Sequence, residues 1–222
     1  MNFIRDFLPD RVSFAAMIGC LLFTAVIIGL VALQSTFPPS SLYRDPLAVA
    51  ATLTSGKETC CSPWLGSVNV LGTLLLFGSF TIGAFVFLYG VVADMSRRSL
   101  LFWLIAMANA LFLAADDGFM LHETYGRRIG GILPLFQSLR IVGTSIFLYF
   151  WFRARRTPWD IFLPLALAAF IGSLAIDLNL EQTSDVLVIE DGFKLLGIAF
   201  WFVLFMGRGI CEISHLHLKA QD

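Results

Sequence analysis

Six uninterrupted apolar runs limit what this chain can fold into: 12–33, 68–93, 100–121, 132–152, 159–180 and 186–206. Each is close to the roughly 20 residues that an α-helix needs to cross the hydrocarbon core of a bilayer. Transmembrane strands would read as short segments alternating apolar and polar positions, and these runs are long and continuously apolar. The expected architecture is all-α: a polytopic integral membrane protein whose 1–222 form a single transmembrane domain, a six-helix bundle. At 58% hydrophobic residues and a mean hydropathy of +0.81, the chain is more apolar than a soluble domain of its length needs to be. A formal net charge of -1, without a basic run, leaves no electrostatic case for nucleic acid.

The basic residues set an expected orientation. Arg5, Arg11, Arg97, Arg98, Arg153, Arg155, Arg156, Arg208 and Lys219 fall at one set of helix ends, and only Arg44, Lys57, Arg127 and Arg128 at the other. The positive-inside rule then places both termini in the cytoplasm and the long loop 34–66 outside. No small-x-small site follows the first apolar run cleanly, so it reads as a retained span. In the loop, Pro38-Pro39 ends the first helix, and the adjacent Cys60 and Cys61 suit a local structural role better than a disulfide to the distant Cys20 or Cys211. Gly72, Gly78, Gly83 and Gly90 give the second helix a face that a neighbouring backbone can approach closely. The tail past Met206, with His215 and His217, reads as short and amphipathic.

Against this apolar background the polar residues stand out. The third run ends in Asp116 and Asp117, followed by His122 and Glu123. Asn109, Asp116 and Glu123 are spaced by seven and share a stripe of the helix, while Asp117 and His122 flank it. Arg140 lies about 12 Å into the fourth helix, a depth that demands a carboxylate partner. The fifth helix carries Ser173, Asp177 and Glu181 in steps of four. The sixth opens with Glu190, Asp191 and Lys194. With the orientation above, eight of the sixteen acids gather at the outer end of the bundle. Arg140 and Lys194 are the basic partners on the helices themselves, with Asp191 in the same charge network.

An excess of carboxylates in a low-dielectric site requires protonation or a bound cation. Carboxylates from several helices with one imidazole resemble the ligands of a hard or borderline divalent metal ion. Asp116, Asp117, His122, Glu123, Asp177 and Glu181 are the candidate ligands, and Asp116, Glu123, Asp177 and Glu190 the candidate catalytic carboxylates. A metal there could activate water facing the outer leaflet, so the first functional expectation is a metal-dependent enzyme acting on a lipid or lipid-linked substrate. Two other classes compete with it. A cation- or proton-coupled transporter would use the same acids, with Asn109, Thr144 and Ser173 below them. An accessory subunit of a larger membrane complex would use them only as a salt-bridge network.

The segment Asp116-Asp117-Gly118-Phe119-Met120-Leu121-His122-Glu123, followed by Glu190-Asp191-Gly192-Phe193-Lys194-Leu195-Leu196-Gly197, resembles the pattern of small, uncharacterised multi-pass bacterial membrane proteins. The resemblance spans the third to sixth helices and implies a bacterial inner-membrane location, without supplying a function. Membrane hydrolases related to alkaline ceramidases offer an analogy for a metal held inside a helical bundle, although the chain lacks their histidine set.

Overall fold

The computed structural model describes residues 11–33, 66–119, 132–154, 156–179 and 184–219. These form α1 (Arg11–Leu33), α2 (Ser67–Val92), α3 (Arg97–Phe119), α4 (Ile132–Arg153), a 3-10 turn (Pro158–Ile161), α5 (Phe162–Asn179) and α6 (Ser184–Lys219), with no strand among the described residues. Five of these helices contain described stretches long and apolar enough to span a membrane. Large apolar side chains such as Leu22, Leu74, Leu88 and Leu174 point outward on them. An apolar exterior of this extent is what lipid contact requires and what water would not support. The chain is therefore an all-α, multi-pass membrane protein.

Two hydroxyl groups inside α2 find acceptors in their own backbone, as suits a lipid environment. The Ser79 Oγ donates to the Leu75 carbonyl at 3.0 Å, and Thr81 Oγ1 to the Phe77 carbonyl at 2.9 Å. The longest helix departs from the expected boundaries. α6 has 36 residues and continues to Lys219, so the tail past Met206 is part of it. At 1.5 Å per residue it is about 54 Å long, well beyond a hydrocarbon core of about 30 Å. The start of the fifth span also differs, because Pro158 opens a short 3-10 turn before the α-helix proper.

The described residues divide into two compact units. One holds 73–119, 132–154, 156–161 and 202–219; the other holds 11–33, 66–72, 162–179 and 184–201. In the first, α2 and α3 form an antiparallel hairpin. Thr73 meets Asp117 near one end, Gly83 faces Met107 midway, and Gly90 faces Leu100 near the turn. The turn closes with Met95 N–H donating to the Gly90 carbonyl at 2.8 Å and with Asp94 in the left-handed conformation, the signature of a Schellman helix end. Ser96 Oγ then accepts the Ser99 N–H at 3.3 Å and caps α3.

The buried face of α3 carries Trp103, Ala106, Ala110 and Ala114. α4 packs against α3, with Gly143 against Asn109 and Phe147 against Phe102. Below the alanines an aromatic layer fills the unit: Trp103 meets Phe205 edge-on at 6.1 Å, and Phe147 stacks on Phe205 at 6.4 Å. In the other unit Phe162 packs against Phe200 at 5.8 Å, and the α5 face of Ala166 and Phe170 lies against Gly197.

The 3-10 turn docks on the second half of α6 because Gly207 leaves room for the Trp159 ring, which lies directly against its α-carbon. Any side chain at 207 would have to displace that ring. Gly207→Ala is expected to lower stability by about 1–3 kcal/mol, the usual range for overpacking a filled interior. Thermal unfolding of the variant in detergent checks this, and an unchanged midpoint would refute the docking.

Candidate functional site

The first unit contains two buried polar centres, one anticipated from the sequence and one not. The anticipated centre lies on α3 and α4. Asp116 is 2% exposed, and Arg140 Nη1 sits 3.3 Å from its Oδ2. The arginine side chain is itself 45% exposed, so it reaches the buried carboxylate from the periphery. Next to it Asp117, half-buried, accepts a hydrogen bond from Thr73 Oγ1 of α2 at 3.2 Å. One acid of the pair thus faces α4 and the other α2, as expected for successive positions rotated by about 100° on a helix.

Two turns from Asp116 on the same stripe is Asn109, 5% exposed. Neither its amide nitrogen nor its amide oxygen has a hydrogen-bond partner among the described residues. Gly143 of α4 packs against that amide: a methyl group there would fall 3.1 Å from Oδ1. Asn109 and Asp116 therefore make a polar line on the otherwise apolar face that α3 turns inward.

The remaining anticipated residues are distributed differently. Glu190, Asp191 and Lys194 are half-buried on the first half of α6, within the second unit. Asp177 lies on α5, with its side chain outside the described set. His122, Glu123 and Glu181 lie outside the described residues, as do Arg127, Arg128, Cys60 and Cys61. Among the described residues no group of three or more His, Cys, Asp or Glu side chains is placed to hold a metal ion.

The second centre is built from Thr157, Asp160 and Arg208. Asp160 is 1% exposed and Arg208 is 4% exposed. Arg208 Nη1 donates to Asp160 Oδ1 at 2.7 Å, a short charge-assisted bond. Thr157 donates its N–H to Asp160 Oδ2 at 2.9 Å and its hydroxyl to Oδ1 at 3.3 Å. Both oxygens of the carboxylate thereby accept hydrogen bonds, two on Oδ1 and one on Oδ2. The guanidinium carbon of Arg208 also lies 4.4 Å from the centroid of the Phe102 ring, which covers the cation with a π face. Arg156 sits similarly over Trp151 at 4.3 Å.

Sequence reading overlooked this centre because each half has an ordinary explanation. Thr157-Pro158-Trp159-Asp160 has the form of a helix start, with a threonine cap, proline in the first helical position and an acid three residues after the cap. Arg208 counts among the topology-setting arginines. The sequence carried little signal of the pair, because Arg208 follows the apolar run that ends at Met206 and reads as an interfacial arginine.

Arg208 also borders a shallow cleft whose other walls include Arg98, Ser99, Phe102, Phe150 and Glu212. Its cavity volume is about 40 Å³. It does not enclose a substrate.

The Asn109 amide is buried where an apolar group of the same shape would fit. An unsatisfied buried polar group of this kind costs about 1–3 kcal/mol. Asn109→Leu, nearly isosteric, is therefore expected to raise the midpoint of thermal unfolding, whereas a fall would mean that the amide makes stabilising bonds.

A family model described as a domain of unknown function (DUF8692) matches residues 15–207. No curated protein and no solved structure matches the chain.

Proposed function

The chain belongs to the family of that model, DUF8692, and from this premise we propose a non-catalytic membrane protein of the accessory-subunit class, whose buried charges fix its helices for assembly with other membrane proteins. One observation carries the reading: Asp116, the most buried of the anticipated site carboxylates among the described residues, is engaged by Arg140 at 3.3 Å. A metal ion taking that carboxylate would have to share it with a guanidinium whose positive charge opposes a second cation beside it. Asp160 is committed in the same way to Arg208 and Thr157. Both pairs have the form of interhelical fastenings.

The apolar exterior and the length of α6 support an assembly role. A helix of about 54 Å extends past the bilayer and offers a surface to a partner beyond the membrane plane. The asymmetry of the arginines supports an inner-membrane protein with both termini in the cytoplasm. The competing enzyme and transporter readings require Asp116 to hold a cation beside Arg140. They would recruit Asp117, His122, Glu123, Asp177 and Glu181 around a divalent metal.

Elemental analysis of the purified protein separates these readings, combined with thermal unfolding of Asp116→Asn, Arg140→Gln and the double variant. The expected result is no stoichiometric divalent metal, with the double variant losing less than the sum of the singles. The coupling should be about 1 kcal/mol or less, because Arg140 is half exposed. One metal ion per chain that disappears in Asp116→Asn would overturn the proposal.

A further inference from the structure

We infer that the cleft between the start of α3, the end of α4 and the second half of α6 is a binding site for the headgroup of a zwitterionic aminophospholipid. The argument begins with charge. Three ionisable groups line the cleft: Arg98, Arg208 and Glu212. Arg208 is matched by Asp160 at 2.7 Å. Arg98 and Glu212 form no ion pair with one another or with other described residues. Among the described residues Arg98 thus has no ion-pair partner, and Glu212 acts on Arg208 only through its charge, without an ion-pair contact.

A phosphoethanolamine group carries the complementary pair. Its phosphate suits the Arg98 guanidinium together with the Ser99 hydroxyl, which accepts from Ser96 Oγ at 3.2 Å and keeps its own proton to donate. Its primary ammonium suits Glu212. An anionic headgroup would match Arg98 but meet Glu212 as a like charge. A choline headgroup would offer Glu212 no N–H donor.

The walls and the position favour a lipid over a soluble phosphate ester. Phe102 and Phe150 line the same cleft and give an apolar surface beside the charges. Arg98 and Ser99 belong to the first turn of α3, and α4 ends at Arg153, so the cleft lies where these two spans reach their polar limits. The shallowness fits an occupant whose chains remain in the bilayer and whose headgroup alone is gripped. Basic pockets between transmembrane helices recognise lipid headgroups by the same physics.

The test uses the full-length protein in mixed micelles holding equal amounts of phosphatidylethanolamine, phosphatidylcholine and phosphatidylglycerol, with retained lipid read by native mass spectrometry. Wild type should retain one phosphatidylethanolamine in preference to the other two. Arg98→Gln should reduce retention of every phospholipid about fivefold. Glu212→Gln should keep phospholipid binding but lose the preference for phosphatidylethanolamine over phosphatidylcholine. Circular dichroism of both variants should match wild type, because neither side chain makes a bond that holds the helices. Equal retention of all three lipids by wild type, or an Arg98→Gln variant that binds as wild type does, would overturn the inference. So would displacement of the lipid by free phosphoethanolamine at matched concentration, which would identify a soluble ligand.

Discussion

A charged group inside a low-dielectric interior is tolerable only beside its opposite, and the first unit is arranged around that constraint. Asp160 and Arg208 meet it most completely. Three donors reach the carboxylate, and the Phe102 ring covers the guanidinium at 4.4 Å. Their geometry dictates what surrounds them. Asp160 has to arrive on a tight turn, which Thr157 and Pro158 provide, and α6 has to admit that turn closely, which Gly207 allows by accommodating Trp159. Two consecutive α6 residues, a glycine and an arginine, thus receive two consecutive turn residues, a tryptophan and an aspartate. Apolar packing alone would not fix that register, because in a bilayer the alternative contacts with lipid are equally apolar.

The Asp116–Arg140 pair obeys the same rule in a looser form. Its carboxylate is buried while its arginine stays half exposed, so much of the attraction is screened and the pair orients α3 and α4 more than it stabilises them. Gly143 of α4 lets its backbone approach Asn109 of α3 on the stripe that also carries Asp116. Asn109 is one buried polar group without a hydrogen-bond partner among the described residues. Its amide lies on the same stripe as Asp116 with both polar atoms unpaired. Helix packing alone gives no reason for an amide there.

Much of this architecture was legible in the sequence, for a physical reason. Lipid removes the option of unpaired backbone, so a long apolar run has only one spanning solution, and the six runs correspond to six helices. Depth arguments also translated well: Arg140, several turns into its helix, required a carboxylate, and Asp116 provides one. Partner identity was harder to read. Asp160 and Arg208 are 48 positions apart, and neither helical periodicity nor charge counting links a helix-start motif to an arginine on another span. The extension of α6 was missed because hydropathy falls after Met206 while helical order does not; Arg208, Glu212, His215 and His217 are polar yet compatible with a helix.

The claim beneath these points is that buried charge in this protein serves to lock one element onto another. The most direct measurement is a double-mutant cycle at Asp160 and Arg208, using Asp160→Leu, Arg208→Met and the combined variant, with unfolding free energies measured in detergent. Each single substitution strands a buried charge and should lose about 3–5 kcal/mol, while the apolar pair should recover most of that loss. Single variants as stable as wild type, or losses that simply add in the double variant, would contradict the account.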